Sequence, residues 1–213
     1  MASGRKTGWP IALIAAMLQV IVVLTLLPNS WMARVYERER VMLVDGLGKS
    51  AAEWVSAKGY SWYMTAFFNS GAVKKTYDLF VNDPGRTPDP TGFERGGKAW
   101  FQYMEGRLKA FWTAVAVMCC RLAMAMIWLP HSLILAVPAV LDGMMMWRVR
   151  REGFSFSSPV THLYSIRAAK ALMWLSVISL TVPIAIHPML FPAFLVGAVL
   201  SLGIAAGSMP RRI

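Results

Sequence analysis

The residues able to carry chemistry are few and scattered. Leu47-Gly48-Lys49-Ser50 ends like a phosphate-binding loop, in which backbone N–H groups cradle a phosphate and a lysine reaches it. The complete motif needs glycine five residues before Gly48. That position holds Leu43, and no apolar strand leads into it, so phosphate-loop chemistry is excluded. Fifteen methionines and three histidines (His131, His162 and His187) would suit a copper-handling membrane protein. A Cu(I) site requires soft ligands that converge on one point. Met144, Met145 and Met146 are consecutive, so they fan around a helix instead, and methionine reads here as a packing or lipid-facing residue. His131-Ser132 has no acid or glycine context for a nucleophilic triad. Cys119 and Cys120 are adjacent, cannot reach ordinary disulfide geometry on a helix, and read as small apolar packing residues. These residues imply no catalytic centre, no cofactor and no metal site, and a protein that is not an enzyme.

Two charges remain, Arg121 and Asp142, both inside a long apolar stretch. An ionisable residue at membrane depth is a candidate functional group, and the pair would suit a small-solute or ion transporter. Asp142 lies within two turns of Trp147 and Arg148, which puts it near the cytoplasmic interface. Transporters commonly carry repeated or broken helices in two halves, and the sequence shows no internal repeat.

The elements around these residues belong to a membrane protein. The chain is 56% hydrophobic and 15% charged, with a mean hydropathy of +0.48, whereas soluble domains carry about 25% charged residues. The deficit is concentrated in long apolar stretches. The net charge of +11 sits beside those stretches: Arg5 and Lys6, then Arg148, Arg150 and Arg151, then Arg167 and Lys170, then Arg211 and Arg212. Topology-setting and headgroup-binding charges are placed this way. No basic stripe interleaved with stacking aromatics appears, so direct nucleic-acid contact is not expected.

The expected fold class is an all-α integral membrane protein with about four transmembrane helices and a helical extramembrane region between the first and second. Residues 1–29 form a signal-anchor span. Trp31 and Met32 make the following segment a poor cleavage site. Residues 30–109 hold twelve Lys/Arg and nine Asp/Glu, a near-balance compatible with an extracytoplasmic helical region. There Arg34, Glu37, Arg38, Glu39 and Arg40 can form local helical pairs, and Val35, Met42, Trp54 and Val55 a partial inner stripe. A Pro/Gly-rich loop covers residues 82–92.

Residues 110–147 are too long for one crossing, since a helix of that length spans about 57 Å against roughly 30 Å of hydrocarbon. Either the chain turns at Pro130-His131, or an amphipathic approach helix leads into a single span at residues 122–147. The positive-inside rule favours the second, because Arg148, Arg150 and Arg151 then share the cytoplasmic side with both termini. Residues 148–170 form a basic cytoplasmic loop, in which Arg148, Arg150, Arg151, Arg167 and Lys170 set topology or contact lipid or a partner. Residues 171–213 form a hairpin of two spans, 171–186 and 189–207, with a basic tail. Ala193, Gly197, Ser201, Gly203 and Gly207 put small residues on the last span, where helices approach closely, within the chain or with a partner.

The basic anchor, the outer helical region and the C-terminal span pair resemble a family of membrane proteins encoded by integrative conjugative elements and related conjugative plasmids. Val140-Leu141-Asp142-Gly143 running into Trp147-Arg148-Val149-Arg150-Arg151, then Ser155 to Pro159, is the most family-like piece. The resemblance implies a bacterial inner-membrane protein of the DNA-transfer apparatus, encoded near the coupling ATPase of a type IV secretion system. Membrane lipid and that ATPase or other channel subunits are then the expected partners, with a homo-oligomer also open. No catalytic residue is assigned to the family, so none is carried over. A membrane-anchored regulator acting through the basic loop is a further alternative.

Overall fold

The computed structural model describes residues 28–81, 94–153 and 158–209, and every regular element among them is a helix. The helices are α1 (Asn29–Leu47), α2 (Lys49–Tyr63), α3 (Ala72–Phe80), α4 (Glu94–Glu152), α5 (Pro159–Thr181) and α6 (Leu190–Gly207). A π-turn at Met64–Phe68 follows α2. The expected first span, the loop at 82–92 and the terminal basic residues lie outside the described residues. Three helices are long and apolar enough to cross a membrane: α4 over Trp100–Glu152, α5 and α6. The described residues divide into two compact units, one within Met1–Arg121 and Thr181–Ala185, the other within Leu122–Leu180 and Ile186–Ile213.

In the first unit α1 and α2 are separated by Gly48, whose φ of 82° is open to glycine and strained for other residues. Gly48-Lys49-Ser50 is therefore a helix–helix junction. The inner stripe of α1 is Met32, Val35, Glu39 and Leu43, and that of α2 is Ala52, Val55 and Gly59. Both follow helical spacing. Of the stripe expected from sequence, Val35 and Val55 are buried, Met42 is half-buried and Trp54 is exposed. A Cβ on Gly59 would meet the Cys120 backbone and Sγ, so α2 approaches α4 at a point where only glycine fits.

Helix α4 has fifty-nine residues and runs unbroken through Pro130 and Pro138. At about 1.5 Å per residue it is far longer than one crossing needs. Near Pro130, His131 Nδ1 bonds the Ile127 carbonyl at 2.8 Å and Ser132 Oγ donates to the Leu129 carbonyl at 2.8 Å. Side chains thus take up carbonyls around a proline that offers no N–H. Helix α5 begins at Pro159, earlier than the expected span, and stops at Thr181 instead of 186. Pro183 explains the early stop, because the residue before a proline is pushed out of the helical region.

The second unit is held by close backbone approach. A Cβ on Gly203 would stand 2.7 Å from the Ala139 carbonyl oxygen, and one on Gly143 would meet the Gly203 carbonyl. Gly207 faces Gly143 and Met146, while Gly197 faces Leu172 of α5. Two small-x-x-x-small pairs, Ala139/Gly143 and Gly203/Gly207, therefore face each other between α4 and α6. His162 Nδ1 bonds the Ala205 carbonyl at 2.8 Å, tying α5 to α6. Gly203→Leu is expected to destabilise the protein by about 1–3 kcal/mol through overpacking. Thermal unfolding in detergent checks this, and Ala193→Leu, at an exposed position, should leave the melting temperature nearly unchanged.

Candidate functional site

Arg121 is almost fully buried on α4, at 2% exposure, and so is Glu39 on α1, at 8%. Helical spacing places Glu39 on the same face as Met32, Val35 and Leu43, so the inner stripe itself carries the carboxylate inward. Arg121 Nε donates to both Glu39 oxygens at 3.0 and 3.2 Å, and Nη2 donates to Oε1 at 2.5 Å. Two further N–H groups reach backbone: Nη1 to the Val182 carbonyl and Nη2 to the Ile184 carbonyl, each at 2.6 Å. Between them, the Trp31 indole N–H donates to the Pro183 carbonyl at 3.0 Å.

Three successive carbonyls of the non-helical segment after α5 are thus satisfied by two side chains of the same unit. A planar guanidinium suits this work, with a forked face for the carboxylate and spare N–H groups for carbonyls. The arrangement is a structural clamp. It commits the guanidinium to Glu39 and backbone, where a transport site would keep it open to solute.

Beside this clamp the first unit contains a cavity of about 410 Å³. Four tyrosines from three helices line it: Tyr36 of α1, Tyr60 and Tyr63 of α2, and Tyr77 of α3. From α4 come Lys109, Trp112 and Cys120, among others. The π-turn lets Tyr63 and Phe67 both reach the Trp112 ring, at centroid distances of 6.3 and 5.8 Å. Among the described residues none of the four phenol oxygens has a hydrogen-bond partner, and neither does the buried indole N–H of Trp112. Burial is the main cause that raises the Tyr36, Tyr63 and Tyr77 phenols above their ordinary 10.0. They stay protonated at physiological pH, and any stability they confer is lost only as pH rises above 10.

The basic residues of the second unit have more local work than a loop would give them. Arg150 donates to the Gly207 carbonyl at 3.4 Å, where a cation complements the C-terminal end of α6. Arg151 lies over the Trp147 ring and Arg167 over Tyr164, at 5.4 and 5.9 Å. Arg167 and Lys170 are exposed on α5, and Arg148 is exposed on α4. Asp142 is also exposed, in the second unit, while Arg121 belongs to the first. Ser201 returns its hydroxyl to the Gly197 carbonyl of its own helix at 2.8 Å.

Sequence reasoning missed Glu39 because it sits in a run of mixed charge that reads as local surface pairs. Its place four residues after Val35 and seven after Met32 was the available signal. The cavity was missed because its tyrosines come from three helices. Removing one partner of the buried pair leaves the other charge uncompensated, so Glu39→Ala or Arg121→Ala should cost about 3–5 kcal/mol. The double substitution Glu39→Leu/Arg121→Met should cost less than either single change, as read by melting in detergent.

No curated protein and no solved structure matches the chain. A family model described as IncC plasmid conjugative DNA transfer protein DtrJ-like matches residues 30–208. The match takes in both compact units, the Glu39–Arg121 clamp and the three long apolar helices. By that match the chain belongs to the DtrJ-like family of plasmid conjugative DNA transfer proteins.

Proposed function

We propose that the chain is a non-enzymatic scaffold subunit in the inner membrane, serving a conjugative type IV secretion system and holding the coupling ATPase through transmembrane helices. Family membership supplies the process. The observation that carries the scaffold reading is the face that α4 leaves open. Only 6% of the most apolar window of α4 is buried inside the protein, against 33% for α6. Leu133, Ile134, Val137 and Leu141 are all more than half exposed. Lipid covers such a face at no cost, and a partner helix covers it with better packing.

The topology in this proposal has four crossings, the first within residues 9–27, and both termini in the cytoplasm. The continuity of α4 through Pro130 favours a single second crossing, which keeps Arg148, Arg150 and Arg151 on the positive-inside side. Arg121 used as a clamp removes one of the two charges a transporter reading would employ.

Affinity purification in mild detergent from donor cells, followed by mass spectrometry, tests the proposal. The coupling ATPase or channel subunits should accompany the wild-type protein. The triple substitution Ile134→Ala/Val137→Ala/Leu141→Ala, which keeps a helix-forming apolar surface, should lose them and reduce DNA transfer. Recovery of the chain alone, with transfer intact after its deletion, would sink the scaffold reading. Asp142→Asn should leave transfer unchanged, whereas its abolition would revive the transporter.

A further inference from the structure

The tyrosine-lined cavity has no part in the clamp or in the open face of α4, and its chemistry is specific. Its size falls within the range of about 300–1,000 Å³ typical of small-molecule sites. No carboxylate lines it, and the one charged group that does is the Lys109 ammonium. The Tyr36, Tyr63 and Tyr77 phenols keep their protons and face the cavity without a protein acceptor. Every strong polar group available to an occupant can therefore donate a hydrogen bond, and the only charge favours an anion. Lys109 is held by Glu105 at 2.9 Å, but their side chains are 56% and 45% exposed. An exposed pair of this kind contributes little, so the ammonium is available to a better partner.

The placement along α4 is equally informative. Lys109, Trp112 and Cys120 share one helical face. Lys109 immediately precedes the apolar run, and no further charge occurs before Arg121. The cavity thus has Lys109 and Tyr77 together at the end where the apolar run begins, Trp112 on the next turn, and Tyr36 further along beside Cys120. An amphipathic anion matches this arrangement, and a free inorganic anion matches only half of it.

We propose that this cavity binds an anionic membrane phospholipid, with Lys109 and the Tyr77 phenol on the headgroup phosphate, the Tyr63 and Tyr36 phenols further along on its ester oxygens, and the first acyl carbons against Trp112. The inference rests on residence in a membrane and not on the partner proposed above. The bound lipid would be a structural ligand of the first unit, distinct from the bulk lipid around α4, α5 and α6.

Native mass spectrometry of the delipidated full-length protein in detergent, titrated with phosphatidylglycerol, tests this. The wild-type chain should retain one phosphatidylglycerol, with weaker retention of phosphatidylethanolamine. In Tyr36→Phe/Tyr63→Phe/Tyr77→Phe the rings stay and the hydroxyls go. Three lost hydrogen bonds imply an affinity reduced at least about tenfold. Lys109→Gln should remove the preference for the anionic lipid, and it carries the test alone if the triple variant fails to fold. Equal retention by wild type and variants would overturn the proposal. So would binding of inorganic phosphate as tight as that of the lipid, which would assign the site to a soluble phosphate.

Discussion

A guanidinium and a carboxylate buried together must exchange hydration for fixed partners, and each unmet donor adds to the cost. Arg121 and Glu39 meet that condition with two further acceptors, the Val182 and Ile184 carbonyls. Those carbonyls belong to a segment that Pro183 keeps out of the helix, so they have no helical partner and need one from elsewhere in the protein. The clamp therefore solves two problems at once. It neutralises a charge on a long apolar helix, and it supplies the hydrogen bonds that a break after α5 would otherwise lack. Trp31, three residues before Arg34 on α1, completes the set through Pro183. The positions of α1, α4 and the 181–185 segment within the first unit all follow from this one centre.

The second unit is built on a different principle. Lipid tails are as apolar as leucine, so helices there gain from close packing more than from burying apolar surface. Glycine and alanine on α4 and α6 allow that approach, and the His162 bond to the Ala205 carbonyl adds a polar tie. The same helix α4 carries large exposed side chains elsewhere along its length. Small residues inside and large ones outside give a chain that holds its own helices together and still offers a broad apolar surface to its surroundings.

The cavity shows how a site arises from helix faces without any motif. Tyr60 and Tyr63 are three apart on α2, and Val73 and Tyr77 four apart on α3. Each pair shares a face because helical spacing requires it. Their convergence with Tyr36 and Lys109 depends on a π-turn, on Gly71 with φ 76° and on the contact of Gly59 with Cys120. None of those features announces a binding site when read alone.

The amino-acid sequence by itself determined the class of the protein. Its long apolar runs, bounded by arginine and lysine, form helices long and apolar enough to cross a membrane, and composition is enough to state that. It also showed the small residues of α6, because a spacing of four is a local property of one helix. Tertiary structure alone decided what Arg121 is for, because its partner lies eighty-two residues earlier in a run of charges that looks self-paired. It decided that Ala139 and Gly143 answer Gly203 and Gly207, since complementarity belongs to two helices and not to either one. It also ended α5 at Thr181, five residues before the hydropathy ends, because hydropathy reports preference for lipid and cannot report that Pro183 removes a helical hydrogen bond.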